Sequence, residues 1–285
     1  MKHIKYLFLV LSTIFVFEMI SFNKAEAACG VDADGVISES DIDNNCDSKP
    51  DIYEVKIYKL YLCTSAPTEA TTSSTVVLTP CSQIFNNASG ATASVTQGSD
   101  IDLDGTFTRP PNGNYTHGYA YMDNSFGVTW SGQIGSSMTG ATGGTGVHCA
   151  SVAGAGTHQQ GSTHSNSSVC SSTDNLTAGK FVETLKHFGS FNDSFRSSVT
   201  VNGINGTSAK ISAYLVDINE HLAASTGDVV KLEGLVTFAN PVVFTTETNS
   251  VSMKFYVGVG MHLNDRGIDT LQVGSGPFQA IMAAN

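Results

Sequence analysis

The strongest constraint on the fold of this chain is an apolar–polar alternation of period two. Ala209, Ile211, Ala213 and Leu215 alternate with Lys210, Ser212 and Tyr214. Val230, Leu232, Val236 and Phe238 alternate with Lys231, Glu233 and Thr237. Val251, Met253, Phe255, Val257 and Val259 alternate with Ser252, Lys254, Tyr256 and Gly258. Extended backbone sends successive side chains to opposite faces, so each run predicts a strand with one core face and one wet face, as in antiparallel sheets. Turn signals between the runs point to a sandwich or barrel.

The same reading extends toward the N-terminus. Tyr53-Glu54-Val55-Lys56-Ile57 alternates, then the phase flips at Tyr58-Lys59 and Leu60 and Leu62 carry the apolar face onward. A one-residue slip within a strand predicts a β-bulge. Val76-Val77-Leu78 reads as a short strand. Tyr115, His117, Tyr119 and Tyr121, followed after Asp123-Asn124-Ser125 by Phe126, Val128 and Trp130, read as a hairpin. Phe181, Val182, Leu185 and Phe188 fit one face of a short helix. Residues 132–179 are Gly/Ser/Thr-rich with few large apolar residues, and read as a long insertion.

Lys2 and Lys5, the apolar run Tyr6 to Ile20 and the small-x-small Ala25-Glu26-Ala27 together read as a secretory signal peptide cleaved after Ala27. Cleavage there leaves 258 of the 285 residues, enough for one large or two small domains. The expected organisation is a signal peptide at 1–27, an acidic cap at 28–50 and a β domain at 51–285 carrying the 132–179 insertion. The alternative is two β subdomains, 51–135 and 180–285. An exported protein in the periplasm, at the cell surface or outside the cell is the implied localisation.

Export changes the meaning of Cys29, Cys46, Cys63, Cys81, Cys149 and Cys170. An even count in an oxidising compartment argues for disulfides. Six cysteines allow 15 pairings, and sequential pairing suits the short intervals of 17, 18 and 21 residues. Cys29–Cys46, Cys63–Cys81 and Cys149–Cys170 are therefore the expected bridges, each worth about 3 kcal/mol as a loop closure. No C-x-x-C pair suggests a zinc cage.

Charge excludes other classes. The net charge is −11 with only 14 Lys and Arg, which disfavours nucleic acid and anionic membrane surfaces. No later apolar run approaches the roughly 18 residues of a membrane helix.

Asp32, Asp34, Glu39 and Asp41 place oxygens around Gly35 in part of a calcium-loop pattern, so calcium is the candidate ion and a solvated acidic loop the alternative. His148, His158 and His164 fall on or beside the Cys149–Cys170 loop and could hold zinc or copper, although no regular element preorganises them. Asp102 and Asp104 form a possible carboxylate pair. No G-x-S-x-G, H-E-x-x-H or phosphate-binding loop is present, so no catalytic residue is assigned, no cofactor beyond calcium is expected, and the chain is read as a non-enzyme.

Pro110-Pro111-Asn112-Gly113-Asn114-Tyr115-Thr116 resembles the turn-and-strand of transthyretin-like (prealbumin-like) β-sandwich modules in secreted bacterial proteins. With the Tyr53–Cys63 strand and the Cys63…Cys81 pair, it also resembles a group of exported bacterial proteins of uncharacterised function. The resemblance covers roughly 70 residues. It implies an immunoglobulin/transthyretin-like sandwich used as a stalk, adhesin or fibre unit, in which proline and glycine set the turn and the tyrosine packs. Arg109 stands where such modules carry an apolar residue.

The fold expected is thus all-β: an antiparallel, disulfide-stapled sandwich with at most one short helix. The function expected is structural or interactive, as a cell-surface, matrix or filament subunit, with a homo-oligomer or polymer built by strand addition. The tail Pro277–Ala283 is a candidate donor strand. The alternatives are a periplasmic or extracellular glycan- or metal-binding module, with Tyr119, Tyr121 and Trp130 as exposed aromatics, and a hydrolase of unrecognised type.

Overall fold

The computed structural model describes residues 27–96, 103–158, 166–188, 194–202, 208–248, 251–267 and 269–284. In chain order its elements are β1 (Ala27–Ala28), β2 (Val36–Ile37), α1 (Glu39–Asp43), β3 (Cys46–Ser48), β4 (Ile52–Cys63), β5 (Cys81–Val95), β6 (Thr106–Phe107), β7 (Gly113–Met122), β8 (Ser125–Thr129), β9 (Ser131–Gly140) and β10 (Thr145–Ser151). There follow β11 (Gly154–His158), β12 (Ser168–Ser171), β13 (Phe181–Leu185), β14 (Arg196–Asn202), β15 (Ser208–Val216), β16 (Lys231–Phe244), β17 (Val251–Tyr256), β18 (Met261–Asp265), β19 (Thr270–Ser275) and β20 (Gln279–Ala284). The protein is all-β and sandwich-like. Among the described residues no helix is long and apolar enough to cross a membrane.

The larger sheet is organised by β4. Its Val55, Ile57, Leu60 and Leu62 are all buried, although 57 and 60 are an odd number of residues apart. The ladders to both β5 and β7 shift register between Ile57 and Lys59. The bulge expected at Tyr58-Lys59 is present, and it returns the apolar residues to the core face. β5 runs along one edge of β4, while β7 and β8 lie end to end along the other. The expected β7–β8 hairpin is therefore corrected: Asp123-Asn124 interrupts one line of chain and does not reverse it. The backbone N–H of Asp123 still donates to Lys56, and Asn124 Nδ2 to Leu185 O.

Beyond β7 the sheet continues through β16, β15 and β14; beyond β8 it continues through β13 and β11. β7 and β16 share one ladder, so 51–135 and 180–285 are hydrogen-bonded together. That ladder slips between Thr237 and Val242, and Pro241, which has no N–H to donate, falls in the slip. The smaller sheet runs β1-β3-β18-β19-β9-β10-β12, with β2 also against β9. β17 and β20 form a separate pair.

The two sheets enclose one apolar cluster in which Tyr53, Phe126, Phe255 and Phe278 meet at ring separations of 5.4 to 6.0 Å. Such tilted aromatic contacts add about 0.5–1.5 kcal/mol each beyond their buried area. Phe278 anchors the tail here, and β20 pairs with β17 of the same chain. The tail proposed as a donor strand is thus already used internally.

Two further expectations are corrected. The short helix expected from Phe181 to Phe188 is instead led by strand β13, paired with β8 and β11, and among the described residues the one short helix lies in the acidic cap as α1. Phe181 and Glu183 both face inward, at 0% and 1% exposure. A buried acid does not register as apolar, so the period of two was hidden. Similarly, 132–179 is not an unstructured insertion but supplies β9 to β12. Small polar residues replace apolar ones in this part of the core: Ser151 and Ser168 are fully buried, with their hydroxyls donating to Gly179 O and Leu271 O. A Cβ on Gly146 would lie 2.0 Å from the backbone of Ser171, so glycine lets these strands approach.

Three disulfides close, Cys29–Cys46, Cys63–Cys81 and Cys149–Cys170. The last two join residues directly opposite in the β4–β5 and β10–β12 ladders. Three bridges fit an oxidising, exported environment.

Candidate functional site

The acidic cap folds on itself. The Asp32 carboxylate accepts from the backbone N–H groups of Asp34 and Val36, making a tight turn with Gly35 at φ 85°. Asp41 accepts from Gly30 N–H at 2.6 Å, and Glu39 from the Ser136 hydroxyl. Asp34 is exposed. Three of the four candidate calcium carboxylates thus serve separate local donors, and among the described residues no group of three acids, histidines or cysteines is placed to hold a metal ion.

His148 lies on β10 in the smaller sheet and His158 at the end of β11 in the larger. His164 and Asp102 lie outside the described residues. His158 instead meets Glu183 (Nδ1 to Oε1 3.4 Å) and His187, with ring centroids 5.5 Å apart. Glu183 reaches across the sandwich and accepts from both the backbone N–H and the hydroxyl of Ser275 on β19. It is a latch between the two sheets. Asp104 is exposed, with its carbonyl accepting from Asn87. Cys149 is disulfide-bonded.

Two of the aromatics read as exposed are not. Trp130 is 3% and Tyr119 4% exposed; Tyr121 is half-buried. Tyr115 packs on its own turn, its hydroxyl donating to Pro111 O at 2.8 Å and its ring edge-on to Phe244. Arg109 fixes the turn from outside, donating to Thr245 O and Asn112 Oδ1.

Tyr58 and Tyr61 of β4 and Tyr119 and Tyr121 of β7 form a strip on the outer face of the larger sheet. Tyr58 meets Tyr121 at 5.9 Å and Tyr61 meets Tyr119 at 5.6 Å. Lys59 sits over Tyr121 and Lys231 over Tyr58, each 4.9 Å from the ring centroid. Lys59 is also paired with Glu220 at 3.2 Å.

At one end of this strip the Cys63–Cys81 loop folds back over the sheet. Arg196 holds it, donating to Ala70 O at 2.7 Å and pairing with Glu69 at 3.5 Å, while Thr71 O accepts from Leu222 N–H. Between loop and sheet lies a small cleft. Tyr119, Tyr214, Glu233 and Leu235 come from the sheet, and Pro67, Glu69, Ala70 and Val76 from the loop. About 10 Å³ is open to the centre of a water, near the lower limit for one molecule.

Glu233 is the unusual member. It is 1% exposed, and the Tyr119 hydroxyl lies beside it without forming a well-aligned hydrogen bond to Oε1 or Oε2. Burial pushes its carboxyl up to about 7, and Glu220 adds to this; the Tyr119 hydroxyl and Lys59 oppose it. Burial, then Glu233, raises the Tyr119 phenol. Burial, then bonding to Glu69, raises Tyr214. Tyr121 is pushed up to about 12 by burial, then Glu220 and Glu233.

Sequence reasoning placed Glu233 on a wet face by alternation and so missed this cleft. The alternation is correct, but the face is dry because a loop some 160 residues earlier covers it. The only available signal was that Cys63 and Cys81 close a loop beginning on the neighbouring strand. No family model, curated protein or solved structure matches the chain, so its functional reading rests on these residues alone.

Proposed function

We propose that the protein is an exported structural or interaction protein, a subunit of a cell-surface, matrix or filament assembly joined by strand pairing between copies. The observation that carries this reading is β14, the last strand of the larger sheet. Among the described residues it pairs only with β15. After Arg196 its sequence is Ser-Ser-Val-Thr-Val-Asn, without charge or proline. Edges of monomeric sheets are normally blunted by lysine, proline or bulges, and an unblunted β-branched edge favours pairing with another strand. Two copies could meet β14 to β14 about a two-fold axis.

Sedimentation velocity of the mature protein from micromolar to millimolar concentration tests this. Association that rises with concentration and is abolished in a Ser198→Lys, Thr200→Lys double variant is expected. A monomer at every concentration, with or without calcium, rejects it. An antibody to the protein used in electron microscopy of the native cell surface locates the assembly.

The half-buried Tyr58, Tyr61 and Tyr121, set among lysines, support a second reading as a glycan-binding module. Calorimetry against a glycan panel that gives no heat removes that reading.

A further inference from the structure

A loop laid over a sheet stays down by what it buries and by what ties it. The Cys63–Cys81 loop buries little. Of residues 64–80 only Pro67 and Ala70 are buried, and the rest are half-buried or exposed. Its outer ties are few. Arg196 donates to Ala70 O and pairs with Glu69, and Leu222 N–H donates to Thr71 O. The foot is firmer. There the Cys63–Cys81 bridge, the Thr64 bonds to Pro80 O and the Thr116 hydroxyl bond to Thr64 O fix both ends. A fixed foot, a polar body and a few outer ties are the construction of a flap, which lifts without unzipping the β4–β5 ladder.

What lies beneath the flap resists being covered. Glu233 is 1% exposed, and the Tyr119 hydroxyl beside it makes no well-aligned bond to either oxygen. An ionised carboxylate loses far more hydration on burial than a neutral one. Closing the flap therefore costs more when Glu233 is charged.

We propose that the Cys63–Cys81 loop is a pH-sensitive lid: ionisation of Glu233 lifts it, and protonation lets it close. Lifting uncovers Tyr119, Leu235 and Tyr214, and so extends the outer strip of Tyr58, Tyr61 and Tyr121 across β16 to β15. The lid does not depend on pairing at the β14 edge, so either reading can fail alone.

The charged and titratable groups facing Glu233 are Tyr119 and Tyr121 on β7, Tyr214 on β15, Lys59 and Tyr61 on β4, Glu220 on the turn after β15, Glu69 on the loop and Arg196 on β14. That turn also holds Asp217 and His221. The four tyrosines are all raised and stay neutral. Glu233 sits at about 7 under the loop, against 4.5 when exposed. Between these values the closed state holds a proton that the open state releases, so raising the pH favours opening. The open-to-closed ratio should rise about fortyfold from pH 5 to pH 7 and level off above pH 8.

Amide hydrogen exchange of the mature protein at pH 5 and pH 7, with intrinsic rates divided out, reads this ratio at the Leu222 N–H. Its protection should fall about fortyfold in the parent and less than about twofold in Glu233→Gln, which keeps the shape without the charge. His221→Gln should keep the fortyfold fall, which separates Glu233 from the histidine next to Leu222 and does not require the Glu233 variant to fold. Opening of the lid alone also requires Leu222 to exchange at least about tenfold faster than the most protected amides of β4, with little change in dilute urea. Protection of Leu222 that is constant with pH, that falls equally in Glu233→Gln, that stops falling in His221→Gln, or that matches β4 in size and urea dependence overturns the proposal.

Discussion

Glu183 and Glu233 are the same residue, both on strands of the larger sheet, and both 1% exposed. Their surroundings differ completely. Glu183 points into the sandwich and finds the N–H and hydroxyl of Ser275 and a ring nitrogen of His158. Glu233 points out of the sandwich, is covered by a loop, and has the Tyr119 hydroxyl beside it but no well-aligned hydrogen bond. The first acid joins two sheets; the second carries a burial cost that the first does not. Burial alone therefore does not say whether an acid is structural. The supply of donors does.

The largest effect that tests this contrast is removal of the latch. Glu183→Ala leaves the Ser275 donors facing apolar core, and should cost about 4 kcal/mol in chemical denaturation at neutral pH. A loss under about 1 kcal/mol would mean that the aromatic cluster holds the sheets together unaided.

The opposite behaviour is expected at Glu233. Its carboxyl titrates at about 7 in the fold, against 4.5 when exposed. Between these values the folded state binds more protons than the unfolded state, so stability falls as pH rises from 4.5 to 7 and stays low above. Glu233→Gln removes this penalty. The variant should match the parent at pH 4 and exceed it by about 3 kcal/mol at pH 8. Parallel stability curves for the two proteins would mean that the Tyr119 hydroxyl offsets the whole cost of burying the carboxylate.

These two acids also mark where sequence reading reaches its limit. Period-two alternation, the Tyr58-Lys59 bulge and the close pairing of cysteines are local signals, and they made the all-β class and the strand β4 legible. β13 was missed because Glu183 breaks the apolar pattern exactly where it is buried, and β9 to β12 because Ser151, Ser168 and glycines do the work of larger side chains. Trp130 and Tyr119 were misplaced for another reason. Alternation says which residues share a face, but not which face another part of the chain will cover. The cleft is the same failure at longer range, since Glu69 and Glu233 meet only after the sheet has formed.

A smaller effect separates the two Ser275 donors on Glu183. Ser275→Ala removes the hydroxyl and keeps the backbone N–H, so one of the two bonds survives. The loss should be about 1.5 kcal/mol by denaturation, well below that of Glu183→Ala. Equal losses in the two variants would assign the whole latch to the hydroxyl.

The smallest effect concerns the cover over Glu233. Arg196 reaches the loop through Ala70 O and Glu69, and its guanidinium lies 5.9 Å from the Tyr214 ring. Lysine keeps the charge but loses the planar fork that serves three partners together. The pair is well exposed, so Arg196→Lys should cost only about 0.5 kcal/mol globally. Its local effect should be larger. The Leu222 N–H donates to Thr71 O in the loop, and its hydrogen exchange should quicken several-fold when the loop loosens. Exchange near Ser275 should not change, because the latch lies on the other side of the sheet. If both regions quickened together, loop and latch would open as one unit, and the separation between the two glutamates would be one of geometry but not of energy.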